Sequence, residues 1–190
     1  MNPLFLIPIG LIAFAFATPT SASSMRKQPT AKATAPTPSI TTASVSASGQ
    51  QFIRRAEAFR SHAYRDAAGF WTIGYGHKIV AGDNLSSSSV ITEDYALALF
   101  AQDLLRTADA VRSSLQRAVT QGQFDAMVSL AYNIGVSAFR NSTLLRLVNA
   151  GDLAGAATQF ARWIYAGGQA LAGLLTRRRQ EAALFTGGRA

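Results

Sequence analysis

Between Glu57 and His77 the chain reads Glu-Ala-Phe-Arg-Ser-His-Ala-Tyr-Arg-Asp-Ala-Ala-Gly-Phe-Trp-Thr-Ile-Gly-Tyr-Gly-His, and three of these residues have the types and intervals that general acid and base catalysis needs. Glu57 lies near the C-terminal end of a short amphipathic helix, where unpaired carbonyls create a negative potential that favours the protonated carboxyl, so this group can donate a proton. Asp66 opens a turn between two strands, a wetter position in which a carboxylate stays ionised and can accept a proton from water. Two carboxyls in unlike surroundings make an acid/base pair. Thr72 follows Asp66 by six residues, an interval that lets a hairpin return its hydroxyl beside that carboxylate to hold a water. With a strand period of two, Thr72, Gly74 and Gly76 share one face, and the two missing side chains let a bulky chain approach the backbone, as on the floor of a groove. Taken singly, each feature also has an ordinary explanation: surface charge for Glu57, turn chemistry for Asp66, a bulge for the glycines. The joint spacing favours the chemical reading. His77 is expected to be structural, because no second imidazole lies at metal-binding spacing.

The elements that must position these groups follow from apolar periodicity. Phe52, Ile53, Ala56 and Phe59 predict a helix over 51–59, and two strands joined by a turn around Gly69 follow it, the second running from Trp71 to His77 with Trp71, Ile73, Tyr75 and His77 packed toward the helices. Thr92 with Glu93 and Asp94 starts a helix that continues toward Leu115. Further helices are expected over 123–134, 142–148, 153–165 and 171–185, each ending near a glycine. One small β-hairpin lobe and a helical C-terminal lobe give an α+β, mostly helical domain.

The 190 residues contain no cysteine and only two histidines, so thiolate metal sites, iron–sulfur clusters and cysteine nucleophiles are excluded by composition, and no metal or cofactor is expected. The net charge of +8 points to a polyanionic partner. Residues 3–17 form an uncharged apolar run ending in Ala15-Phe16-Ala17, which predicts that residues 1–24 are an export signal or, with Arg26 and Lys27 following, a membrane anchor. Residues 25–49 are rich in Ser, Thr, Ala and Pro and read as a flexible linker. Residues 50–190 hold every acidic residue and both tryptophans, and are therefore expected to carry the activity.

These residues resemble the phage-type lysozymes of glycoside hydrolase family 24, most closely the endolysins of lambda-like phages. Members carry a Glu, an Asp or Cys nine residues later and a Thr six further on that opens a Thr-Ile-Gly-Tyr-Gly-His-like segment, and Glu57, Asp66 and Thr72 reproduce both intervals. The segments 126–135, 139–146, 162–168 and 173–181 look like the family's C-terminal lobe, in order. One departure is Ala58, where the family usually has Gly. The resemblance implies a lysozyme-like fold and inverting hydrolysis of the β-1,4 bond between N-acetylmuramic acid and N-acetylglucosamine of peptidoglycan, leading to lysis, while the apolar run of residues 3–17 predicts a protein exported to the periplasm or secreted. Glu57 would be the acid, with Asp66 and Thr72 orienting water. It also implies a glycan cleft between the lobes, with Gly74, Tyr132, Asn133 and Phe139 as candidate substrate-binding residues. Arg177 or Arg178 would position the acid, and His77 would meet Asp103. A monomer without nucleic acid and with transient membrane association through residues 1–24 is expected.

The rival from another class is a non-catalytic basic protein that binds the wall or permeabilises membranes through Arg177-Arg178-Arg179. Against it, Leu171, Leu174, Leu175, Ala182 and Phe185 make this helix core-facing, and Glu181 stands four residues from Arg177, at salt-bridge spacing. A lytic transglycosylase would need only the acid, and the retained Asp66 and Thr72 argue against that.

Overall fold

A computed structural model describes residues 44–66, 69–166 and 168–188, so the expectations for residues 1–24 and for most of the linker lie outside the described residues. Helix α1 (Ala47–Glu57) leads into β1 (Arg60–Arg65), β2 (Trp71–Gly74) and β3 (His77–Lys78), an antiparallel sheet in the order β1-β2-β3. The helices α2 (Glu93–Ser114), α3 (Gln121–Ile134), α4 (Val136–Arg140), α5 (Thr143–Ala150) and α6 (Leu153–Gln159) follow. A 3₁₀ turn (Phe160–Arg162), a small hairpin of β4 (Tyr165–Ala166) and β5 (Gln169–Ala170), and α7 (Ala172–Phe185) complete the α+β domain.

Helix α3 organises the helical lobe. Gln123 through Ala131 are all buried, so this helix is enclosed on every side, as expected of a central helix rather than a surface one. Thr120 and Gln123 form a reciprocal capping box at its start, and Gly135 ends it. Phe124, Met127 and Leu130 join Phe139, Phe160 and Phe185 in one core, with the Phe160 and Phe185 rings 5.6 Å apart and edge-on. Each such fully buried side chain contributes about 1.5–3 kcal/mol of transfer free energy.

Helix α1 begins earlier than composition suggests, inside the Ser/Ala-rich stretch read as linker. Val45 is buried, and the Ser46 hydroxyl caps α1 by accepting from the Gly49 N–H, 3.0 Å away. The Asp125 carboxylate on α3 accepts from the Ser46 N–H at 3.1 Å, from the Ser46 hydroxyl and from Gln121 Nε2 at 2.8 Å. A partner 79 residues away thus orders these positions. The same helix ends two residues before the expected Phe59, at Glu57, because Ala58 takes φ 55° and ψ 151°. That region is essentially glycine's, and an alanine there costs about 1–3 kcal/mol.

The expected single strand over 71–77 is broken into two. Gly74 and Gly76 have φ of 66° and 85°, and the chain turns between β2 and β3, so simple alternation fails after Ile73. The expected helix over 153–165 is also shorter: it stops at Gln159, and β4 and β5 form a hairpin around Gly168 that periodicity did not predict. Helix α4 is a further addition, five residues long and held by the buried Phe139.

His77 on β3 fixes the long connection between β3 and α2. Its Nδ1 lies 2.7 Å from Asp103 Oδ2 on α2 and its Nε2 lies 3.1 Å from Asp83 Oδ2, while Asp83 also accepts from the Val80 N–H at 2.6 Å. Only imidazolium can donate from both nitrogens to two carboxylates. The hydrogen bond to Asp103 raises the His77 pKa above its ordinary value, burial opposes it, and Asp83 adds to the rise. A His raised on folding contributes stability that is fully present below the unfolded pKa of about 6.5 and is lost as pH climbs through the folded value. The melting temperature of Asp103→Asn should therefore fall well below wild type at mildly acidic pH, with the gap narrowing toward basic pH. A gap of constant size would contradict the charged pair.

Candidate active site

Glu57 is the last residue of α1, and its side chain is 16% exposed. Its Oε1 accepts from Arg177 Nη1 of α7 at 2.7 Å. On its other side the backbone of Gly76 passes so near that a Cβ there would stand 3.4 Å from Oε2 and 3.8 Å from Tyr132 Cε1. A side chain at Gly76 would crowd the carboxyl, and the left-handed φ there also favours glycine. One carboxyl oxygen is thus held by a guanidinium while the other borders a glycine. The strain at Ala58 stays in the backbone and does not break the contact between Glu57 and Arg177.

Asp66 and Thr72 are both tied to the backbone of Phe70. The Phe70 carbonyl accepts from the Asp66 N–H at 2.9 Å and from the Thr72 hydroxyl at 3.2 Å, while Asp66 Oδ1 accepts from the Phe70 N–H at 2.8 Å. Thr72, paired across the sheet with Tyr64 and Lys78, is 3% exposed. With its proton committed to Phe70, its hydroxyl oxygen presents lone pairs, so it can accept from a water rather than donate to one. Lys78 Nζ stands 3.9 Å from Asp66 Oδ2 and 4.3 Å from the centre of the Phe70 ring, placing a cation beside the carboxylate.

The remaining candidates separate. Gly74 does not face Glu57: a Cβ there would lie 3.0 Å from Ala96 Cβ and 3.4 Å from Ile91 Cδ1, so this glycine serves sheet-to-helix packing against α2. The broken strand places Gly76, not Gly74, beside the acid. Phe139 is fully buried in the core and can contact no substrate without unfolding α4. Tyr132 is half-buried, donates to the Tyr75 carbonyl at 3.0 Å and packs 5.7 Å from the Phe100 ring. Burial pushes its phenol far above the usual range, so it acts as a neutral donor. Asn133 is exposed on α3, with its Oδ1 accepting from Arg178 Nη2 at 2.6 Å.

Of the two arginines only Arg177 reaches Glu57. Its Nε donates to Glu181 Oε1 at 3.1 Å and its Nη2 to the Ser129 carbonyl at 3.2 Å. Arg178 turns to Asn133 and to Glu181 Oε2, 3.0 Å from its Nη1. Glu181 is fully buried and also accepts from the Ser129 hydroxyl at 2.6 Å. Burial works against the Arg177 charge, but Glu57 and Glu181 outweigh it and hold the guanidinium above its ordinary pKa. Burial lowers Arg178 to about 10, still cationic at neutral pH. From the sequence alone Glu181 is legible only as a salt-bridge partner of Arg177. The i, i+3 and i, i+4 spacing from Arg178 and Arg177 was the signal that one acid joins both. Among the described residues no group of three His, Asp or Glu could hold a metal ion.

A family model described as phage lysozyme matches residues 54–181. The chain is 42% identical over 146 residues to an endolysin of Bacillus phage PZA, a match covering 76% of this chain and 55% of that protein, so it spans about half of that relative's length. It is 40% identical over 145 residues to an endolysin of Acyrthosiphon pisum secondary endosymbiont phage 1, covering 74% of this chain and 97% of the relative. A crystal structure of a P22 lysozyme mutant superposes with a TM-score of 0.64 at 40% identity, over 75% of this chain and 98% of the other.

Proposed function

The chain belongs to the phage lysozyme family, and from that premise we propose that it is a peptidoglycan-cleaving lysozyme acting on the β-1,4 bond between N-acetylmuramic acid and N-acetylglucosamine. The observation that carries this reading is the Glu57 carboxyl, held at Oε1 by Arg177 and bordered at Oε2 by Gly76. Oε2 is then the oxygen that delivers a proton to the glycosidic oxygen as the bond breaks. Asp66 takes a proton from the attacking water, and Thr72, its hydroxyl turned by Phe70, receives a hydrogen bond from that water. Attack from the face opposite the leaving group inverts the anomeric centre. The basic balance of the chain suits an anionic wall polymer.

Residues 1–24 are proposed to export the domain or anchor it for a time to the inner membrane, and the enzyme is proposed to act as a monomer on the wall. Among the described residues no helix is long and apolar enough to cross a membrane. The non-catalytic reading loses its charge source, because Arg177 and Arg178 are buried and ion-paired inside the domain.

Digestion of purified peptidoglycan followed by analysis of the new chain ends tests the reaction. Hydrolysis should yield reducing N-acetylmuramic acid ends. An anhydro product would assign a transglycosylase instead, and turbidity loss of cells with no new glycan ends would assign membrane damage.

A further inference from the structure

Glu181 lies four residues beyond Arg177, is fully buried and has no part in the proposed chemistry; burial pushes its carboxyl above the usual range, against the pull of Arg178 and Arg177. Burying a carboxylate costs several kcal/mol and needs an equally buried partner. Glu181 has two, since one oxygen takes Arg177 Nε and the Ser129 hydroxyl while the other faces Arg178 Nη1. The three nitrogens of Arg177 are thereby divided: Nε to Glu181, Nη2 to Ser129, and Nη1 alone to Glu57. A guanidinium free of such ties prefers to grip both oxygens of a carboxylate at once. Such a grip on Glu57 would occupy Oε2, the oxygen beside Gly76, and would favour the ionised acid.

We propose that Glu181 is a positioning residue for catalysis, which holds the Arg177 guanidinium in a one-oxygen contact with Glu57 and keeps the second oxygen open to substrate. The inference rests on the lysozyme reading of the site. Glu181 touches no substrate; it acts through Arg177. Its partner Arg178 balances its charge, so the buried cluster of Glu57, Arg177, Glu181 and Arg178 is neutral as a whole when both acids are ionised.

Replacing Glu181 alone strands two buried arginines, so the informative variant removes the pair: Glu181→Met with Arg178→Met puts apolar chains of similar length in place of a buried ion pair, a change that protein interiors tolerate. Kinetics on solubilised peptidoglycan should show kcat reduced tenfold or more with KM changed less than threefold. The alkaline limb of the pH–rate profile should move to lower pH, because an unshared Arg177 favours ionised Glu57. A loss of packing alone would not move that limb. If the double variant does not fold, Glu181→Asp keeps the charge but withdraws it by one methylene, and kcat should fall about fivefold at unchanged net charge. Wild-type kcat and pH profile in the folded variant would overturn the role of Glu181. A Glu57→Gln control that retains wild-type rate would sink the lysozyme reading and this inference with it, whereas an inactive Glu57→Gln beside a fully active double variant would sink Glu181 alone.

Discussion

Glu57→Gln should keep the fold and lose lysis. The amide has nearly the shape of the acid and its carbonyl can still accept from Arg177 Nη1, so α1 and α7 remain joined at this point. Arg177 also keeps its bonds to Glu181 and Ser129, and the melting temperature should stay within a few degrees of wild type. An amide cannot deliver a proton, and loss of general acid catalysis alone slows a reaction by roughly 10² to 10⁴. The measurement is turbidity loss of permeabilised Gram-negative cells, paired with thermal unfolding of the same samples. Clearing at wild-type rate by a folded variant would mean that lysis does not pass through this carboxyl.

The second large effect lies in the three consecutive arginines of α7, which the structure separates by surroundings. Successive residues on a helix point about 100° apart, and here one faces Glu57, one Asn133, and one solvent. Arg177→Ala should cost activity tenfold or more, since Glu57 loses the group that orients it. Arg178→Ala should cost mainly stability: Glu181 would keep only Arg177 and Ser129, and removing one partner of a buried ion pair costs about 3–5 kcal/mol. Arg179→Ala should lie within about 0.5 kcal/mol of wild type and retain full activity, as a surface change does. Parallel melting curves and rates decide this. Small, equal losses at all three positions would point to diffuse charge binding to the wall and against a specific contact.

The parts of the fold legible in the sequence are those written in local chemistry. Thr92 ahead of Glu93 and Asp94 caps α2, and the glycines at 135, 151 and 187 fall at helix ends, because caps and left-handed positions depend on near neighbours. The return of Thr72 toward Asp66 was legible for the same reason, since both are tied to the Phe70 backbone within a few residues. What escaped depends on distant partners. The start of α1 is set by Asp125, and the burial of Phe139 by a core assembled from helices across the lobe. Gly74 and Gly76 looked equivalent under strict alternation, yet their positive φ values rotate them apart, one toward Ala96 and the other toward Glu57. The hairpin around Gly168 escaped because two-residue strands have too little pattern to compete with a helical period.

Ser46 and Asp125 also have a mechanical meaning. Helix α1 carries the proposed acid at its C-terminal end and is fastened to α3 at its N-terminal end by Asp125, which grips both the amide and the hydroxyl of Ser46. Any tension arriving along the chain from residues before Ser44 meets that fastening before it reaches Glu57, 11 residues further on, and passes sideways into the central helix. Phe124 and Met127, on either side of Asp125, seat that helix in the core. The far end of α1 is pinned separately, to α7 through Arg177. Helix α1 is therefore held at both of its ends, so the place of the proposed acid does not depend on either fastening alone.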